Sequence, residues 1–172
     1  MKKAIGRYAR SQSGFTLVEL IVASVIGVAL LTALTSVVLT TNRSVNTATN
    51  RIEASGQIRN FELFAYDDFA QSAVPVPGGC GTAGNPCTTQ PLSLSGTYAV
   101  SYVWDGSAFL DRQLGTNTIH MATNVTAFSW YVDTTPLHPT VVISLTVTVP
   151  RLGDLLAYSD SQTFLFVPQV NP

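Results

Sequence analysis

The sequence predicts an α+β fold in which one long N-terminal helix packs on an antiparallel β-sheet of four to five strands. Three observations carry that expectation. A run without charge reaches from Leu20 to Leu39. A pattern with three- and four-residue steps continues it to about Ala73, and from Thr97 onward the apolar period becomes two.

At 172 residues the chain has room for one domain with an appended segment. Charged residues are 11% of it and the mean hydropathy is +0.27, with the apolar weight concentrated in Phe15–Leu39. Charge is also uneven. Lys2, Lys3, Arg7 and Arg10 precede Gly14, and no lysine follows it. Beyond Gly14 five arginines stand against ten acids, a net charge of −5. So acidic a body argues against direct nucleic-acid binding through phosphates.

The first element is the basic leader, 1–14, followed by the apolar helix, 15–39. Leu20–Leu39 is 20 residues, about 30 Å as a helix, enough to cross a bilayer. Positive charge before the span keeps that end cytoplasmic and places the rest outside. An ordinary secretory signal has an apolar region of about 7–15 residues with a small-residue cleavage site after it. Here the run is longer, and the small-residue site, Ser13-Gly14, comes first. Glu19 stands at the mouth of the run, where a lone acid needs a reason.

The amphipathic continuation, 40–73, has no proline, and Gly56 is its one glycine. Val45, Ala48, Ile52, Ile58, Phe61, Ala65 and Phe69 recur as one helix face does, with Arg51, Glu53, Arg59, Glu62 and Asp67 between them. Val74-Pro75-Val76-Pro77 then ends the helix. The loop 74–96 holds Cys80 and Cys87. Two cysteines in a segment expected outside the membrane predict a disulfide, which closes a short loop at a gain of about 2–3 kcal/mol. A metal site is the weaker reading, because no histidine stands near the two thiols.

The antiparallel sheet is expected over 97–172. "TYAVSYVW" and "SAFLDRQL" flank Asp105-Gly106, a two-residue hairpin signal. "NVTAFSWYVD" is the third strand. In Val141–Val149 the odd positions are apolar, while Ser144, Thr146 and Thr148 line the other face. Pro150–Leu156 turns the chain and "QTFLFV" closes the sheet.

No catalytic set is visible, no cofactor is implied, and the chain reads as a non-enzyme. His120 and His138 sit apart, outside any motif, as surface residues. Asp67-Asp68 reads as a charged helix face. Trp104, Trp130 and Tyr131 read as core or cross-strand residues before they read as a ligand platform.

Ser13-Gly14-Phe15-Thr16-Leu17-Val18-Glu19-Leu20, after a short basic leader, resembles the class III signal of type IV pilins and pseudopilins. The resemblance implies a cut after Gly14 by the prepilin peptidase, methylation of Phe15 as the new N-terminus, and an assembly role for Glu19. It also implies a pilin-like fold, other pilin or pseudopilin subunits and an inner-membrane assembly platform as partners, and a place in a pilus or pseudopilus. Gly27 in "SVIG" and the absence of proline from Phe15–Leu39 are similar to PilW-type minor pilins and to J-type minor pseudopilins of type II secretion. Such minor pilins prime assembly at a filament tip. A binding role at that tip, in adhesion or DNA uptake, and a membrane-anchored domain that never polymerises are the alternatives.

Electrostatics accounts for Glu19 on this reading. An acid in hydrocarbon costs a few kcal/mol unless it finds a partner. The amine exposed by cleavage at a neighbouring subunit is one. At roughly 4 Å and an effective dielectric near 20 the pair attracts by about 4 kcal/mol before desolvation.

Overall fold

The computed structural model describes residues 14–150 and 157–169. Its helix α1 spans Leu17–Ala70, close to the expected Phe15 to Ala73. Contacts divide the chain into residues 1–43 and 44–172. In the first, the apolar side chains from Leu17 to Leu39 are exposed. The hydroxyls of Ser24, Thr32, Thr35 and Thr40 donate to Ile21 O, Val28 O, Leu31 O and Ser36 O within the helix. Each of these four hydroxyls is thereby satisfied locally, as a lipid-facing helix requires.

Among its described residues the second unit holds seven strands: β1 (Leu92–Leu94), β2 (Val100–Trp104), β3 (Leu110–Leu114), β4 (Asn117–Ala122), β5 (Val125–Asp133), β6 (Thr140–Val149) and β7 (Tyr158–Phe166). The α+β arrangement of one long helix and antiparallel strands is as expected. The strands, however, form two sheets, β1-β2-β3-β4 and β5-β6-β7, where one of four to five strands was predicted. The chain passes from one sheet to the other at Thr123-Asn124. Asn124 adopts a left-handed φ of 57° there, breaking the run of strand conformation.

Burial keeps the predicted helix stripe from Ile58 to Phe69 and departs from it earlier in the helix. Asn50, Ala54, Ile58, Phe61, Ala65 and Phe69 are buried, whereas Val45, Ala48 and Ile52 are exposed. Phe61 packs edge-on against Tyr102 and Phe164, from one strand of each sheet. Phe69 stacks on Phe166 at 4.5 Å between ring centroids. Each such ring contributes about 1.5–3 kcal/mol by burial, so the outer half of the helix is held by its aromatic residues.

The exit from α1 is tight. Ala73 N donates to Ser95 O and Thr97 N to Gln71 O, pressing the turn after the helix against Gly96. A β-carbon at Gly96 would lie 2.1 Å from Gln71 O, so only glycine fits.

The predicted two-residue turn at Asp105-Gly106 is a longer loop over 105–109. Asp105 Oδ1 accepts the amides of Ser107, Ala108 and Phe109, which makes the wider turn self-supporting. The two-residue hairpin is instead Gly115-Thr116, joining β3 to the unanticipated β4, with Gly115 at φ 60°. Strand β6 follows its alternation: Val141, Ile143, Leu145, Val147 and Val149 are buried while Ser144, Thr146 and Thr148 reach the surface. Strand β7 begins at Tyr158, before the expected "QTFLFV". The predicted turn over Pro150–Leu156 lies outside the described residues apart from Pro150.

Candidate functional site: the helix start and its first acid

The leader cations Lys2, Lys3, Arg7 and Arg10, with Ser13, lie outside the described residues. From Gly14 on the geometry is defined. Gly14 and Phe15 precede the helix, and Phe15 is 86% exposed. Both residues of the Gly14–Phe15 bond therefore lie in accessible chain outside the helix.

Thr16 is the N-cap of α1. Its hydroxyl accepts the amide of Glu19 at 3.3 Å, while Glu19 Oε2 accepts the Thr16 amide and hydroxyl, both at 3.0 Å. This is the reciprocal capping box, in which the acid three residues on returns to the cap and satisfies otherwise open helix-start donors. Thr16 is the functional residue that the sequence reading passed over, and its signal was present as Thr16-x-x-Glu19 just before an apolar run. The arrangement occupies Oε2, leaves Oε1 without a bond among the described residues, and fixes the carboxylate at the helix entrance.

Residues 9–35 match a family model described as the prokaryotic N-terminal methylation motif. The chain carries a prepilin-type N-terminus. That motif implies processing by the prepilin peptidase and assembly with other pilin subunits, and the apolar N-terminal helix is consistent with a single-pass anchor. No curated protein and no solved structure matches the chain. The matched span ends at residue 35, ahead of the β-rich unit.

In the β-rich unit Cys80 and Cys87 form a disulfide with Cα atoms 5.0 Å apart. The loop they close is bonded to the free side of β5: Cys87 exchanges both backbone bonds with Trp130, and Val132 N donates to Gly81 O. Gly81 has φ +97° and lies against the Trp130 ring, where a β-carbon would come within 3.1 Å. Trp130 is buried and its indole N–H donates to Gln90 O, so it is a core residue that seats the loop. Trp104 is half-buried, with Nε1 lacking a partner among the described residues.

Asp68 is not part of a solvated charged face. Arg112 reaches it with Nε at 2.7 Å and Nη2 at 2.6 Å, and the Tyr102 hydroxyl donates to it at 2.5 Å. Burial, then the Asp68 bond, pushes the Tyr102 hydroxyl far above the usual phenol range. The Arg112 guanidinium is raised above its ordinary value by its own bonds to Asp68. Asp67, its neighbour, is exposed. His120 is exposed, with Nδ1 2.5 Å from Asp111 Oδ1, and His138 is exposed in the β5–β6 loop. Among the described residues no group of three metal-ligating side chains occurs.

Proposed function

We propose that this chain is a minor type IV pilin-like subunit, cut after Gly14, methylated on Phe15 and engaged in starting or assembling a filament. The observation that supports it most is the N-terminal methylation motif over residues 9–35, set directly before an apolar helix start whose acid is already oriented. In this reading the helix from 15 to 39 is first anchored in the cytoplasmic membrane, with the β-rich unit outside, and then enters the filament. Gly27 and the proline-free Phe15–Leu39 favour a minor subunit, in a pilus or in the pseudopilus of type II secretion.

Glu19 is the register mark of that assembly. The capping bonds offset part of the cost of an acid in hydrocarbon, and Oε1 remains available to the amine of a neighbour's Phe15. The test separates processing from assembly. Glu19→Ala should still be cleaved at Gly14 yet be absent from filaments sheared off the cell. Incorporation at the wild-type level would refute the register role.

A further inference from the structure

Among the described residues the two sheets of the β-rich unit have four outer edges, and three are engaged at or just beyond one end or along part of their length. The chain after β1 pairs with the helix exit through Ser95 and Thr97. On the β4 side, the Gln57 and Asn60 side chains take the Thr123 amide and Met121 O. The disulfide loop covers β5. The fourth edge is β7.

Which groups β7 leaves open follows from the alternation of antiparallel pairs. Trp130 and Val132 direct their backbone bonds away from β6, towards the disulfide loop. Their β6 partners Ile143 and Val141 therefore face β7, where they pair with Phe164 and Phe166. In β7 the residues between these, Ser159, Ser161, Thr163 and Leu165, turn N–H and C=O outward. None of those groups is bonded among the described residues.

This edge lacks the usual protection. Strand β7 contains no lysine and no proline, and its pairing with β6 runs from Tyr158 to Phe166 without a bulge. Its one charge, Asp160, accepts a bond from Ser55 of the helix. Beside the edge lies a groove of about 470 Å3, walled by Tyr66 and Phe69 of the helix and by the strand from Gln162 to Val167. Glu62 is the charged side chain of the lining.

We propose that the β7 edge is a strand-acceptor site for an extended segment of another protein chain, one that alternates apolar residues with serine or threonine and carries a basic residue beside Glu62. Each part of that chemistry has its reason. Backbone pairing supplies the affinity and alternate side chains the selectivity. Inward residues of the added strand enter the groove between Tyr66 and Phe69, which takes apolar groups. Its outward residues continue hydroxyl rows that already cross the sheet and stop at β7: Thr126–Thr148–Ser159, Thr146–Ser161 and Ser144–Thr163. A charged residue there would have no partner in the rows. The site stands on the β-rich unit and holds whether or not the chain enters a filament.

The test uses the full processed chain in detergent and amide hydrogen exchange. The probe is a synthetic peptide with the sequence of Val141–Val149 and two lysines at each end. A second peptide of the same composition has the alternation broken. The alternating peptide should slow exchange at Ser159, Ser161, Thr163 and Leu165 by about tenfold or more, as expected for ladder bonds newly formed, and leave β4 unchanged. Thr163→Pro, which removes an outward donor where an edge strand tolerates proline, should abolish that protection. Equal protection by both peptides, no protection at saturating peptide, or protection centred on β4 would overturn the proposal. So would protection of the same amides in the chain alone that grows with protein concentration, since the occupant would then be a second copy.

Discussion

Removing Arg112 should damage the β-rich unit more than removing any exposed charge. The Asp68 and Arg112 side chains are only 9% and 13% exposed, and the guanidinium supplies two of the three bonds on the carboxylate. Arg112→Ala leaves Asp68 buried with the Tyr102 hydroxyl alone. Breaking one side of a buried pair costs about 3–5 kcal/mol. At about 2–4 °C per kcal/mol for a chain of this size, the melting temperature should fall by roughly 6–20 °C. Replacing both members, Asp68→Leu with Arg112→Leu, should recover part of that loss, because no orphaned charge remains and only the Tyr102 hydroxyl loses its acceptor. The assay is thermal unfolding of the purified chain in detergent, followed by near-ultraviolet circular dichroism. A fall of less than about 2 °C for Arg112→Ala, or a double variant that melts as low as the single one, would refute the reasoning.

Two further expectations concern the loops. Reducing Cys80–Cys87 with a dithiol should release the cover of β5, so that the Trp130 and Val132 amides exchange faster by roughly 30- to 160-fold, the loop-closure gain of about 2–3 kcal/mol; unchanged rates would show that the loop is held without the disulfide. Asp105 is held at about 2, below the ordinary aspartate value of 3.8, by the Ser107 amide and hydroxyl first. Because its folded value is the lower one, its support of the β2–β3 loop is complete above about 3.8 and is lost as pH falls towards about 2. The Ala108 and Phe109 amide resonances should move together across that window, and Asp105→Ala should show the acid-state positions already at neutral pH.

What the sequence showed plainly was whatever one element decides alone. The odd positions of Val141–Val149 are buried because a half-covered strand must alternate, and no distant residue can change that. The helix start was equally legible, since Gly14, Phe15 and Glu19 lie in one short segment. The helix stripe was legible from Ile58 to Phe69, but its phase before Ile58 was not. Asn50 and Ala54 are buried and Ile52 is exposed because the sheet meets the helix on that side, and apolar spacing alone fits either side. Asp68 looked like a surface charge because its partner Arg112 stands 44 positions away. The division into two sheets depends on one left-handed residue, Asn124, in a stretch that composition does not set apart. The capping box at Thr16 was readable and was overshadowed by the more conspicuous acid beside it.

The N-terminal mass of the mature chain tests the central claim most directly. A protein that begins at Phe15 and carries one added methyl on its amine is the predicted result. A chain that still bears Lys2 and Lys3, or one that begins beyond Leu39, would contradict it.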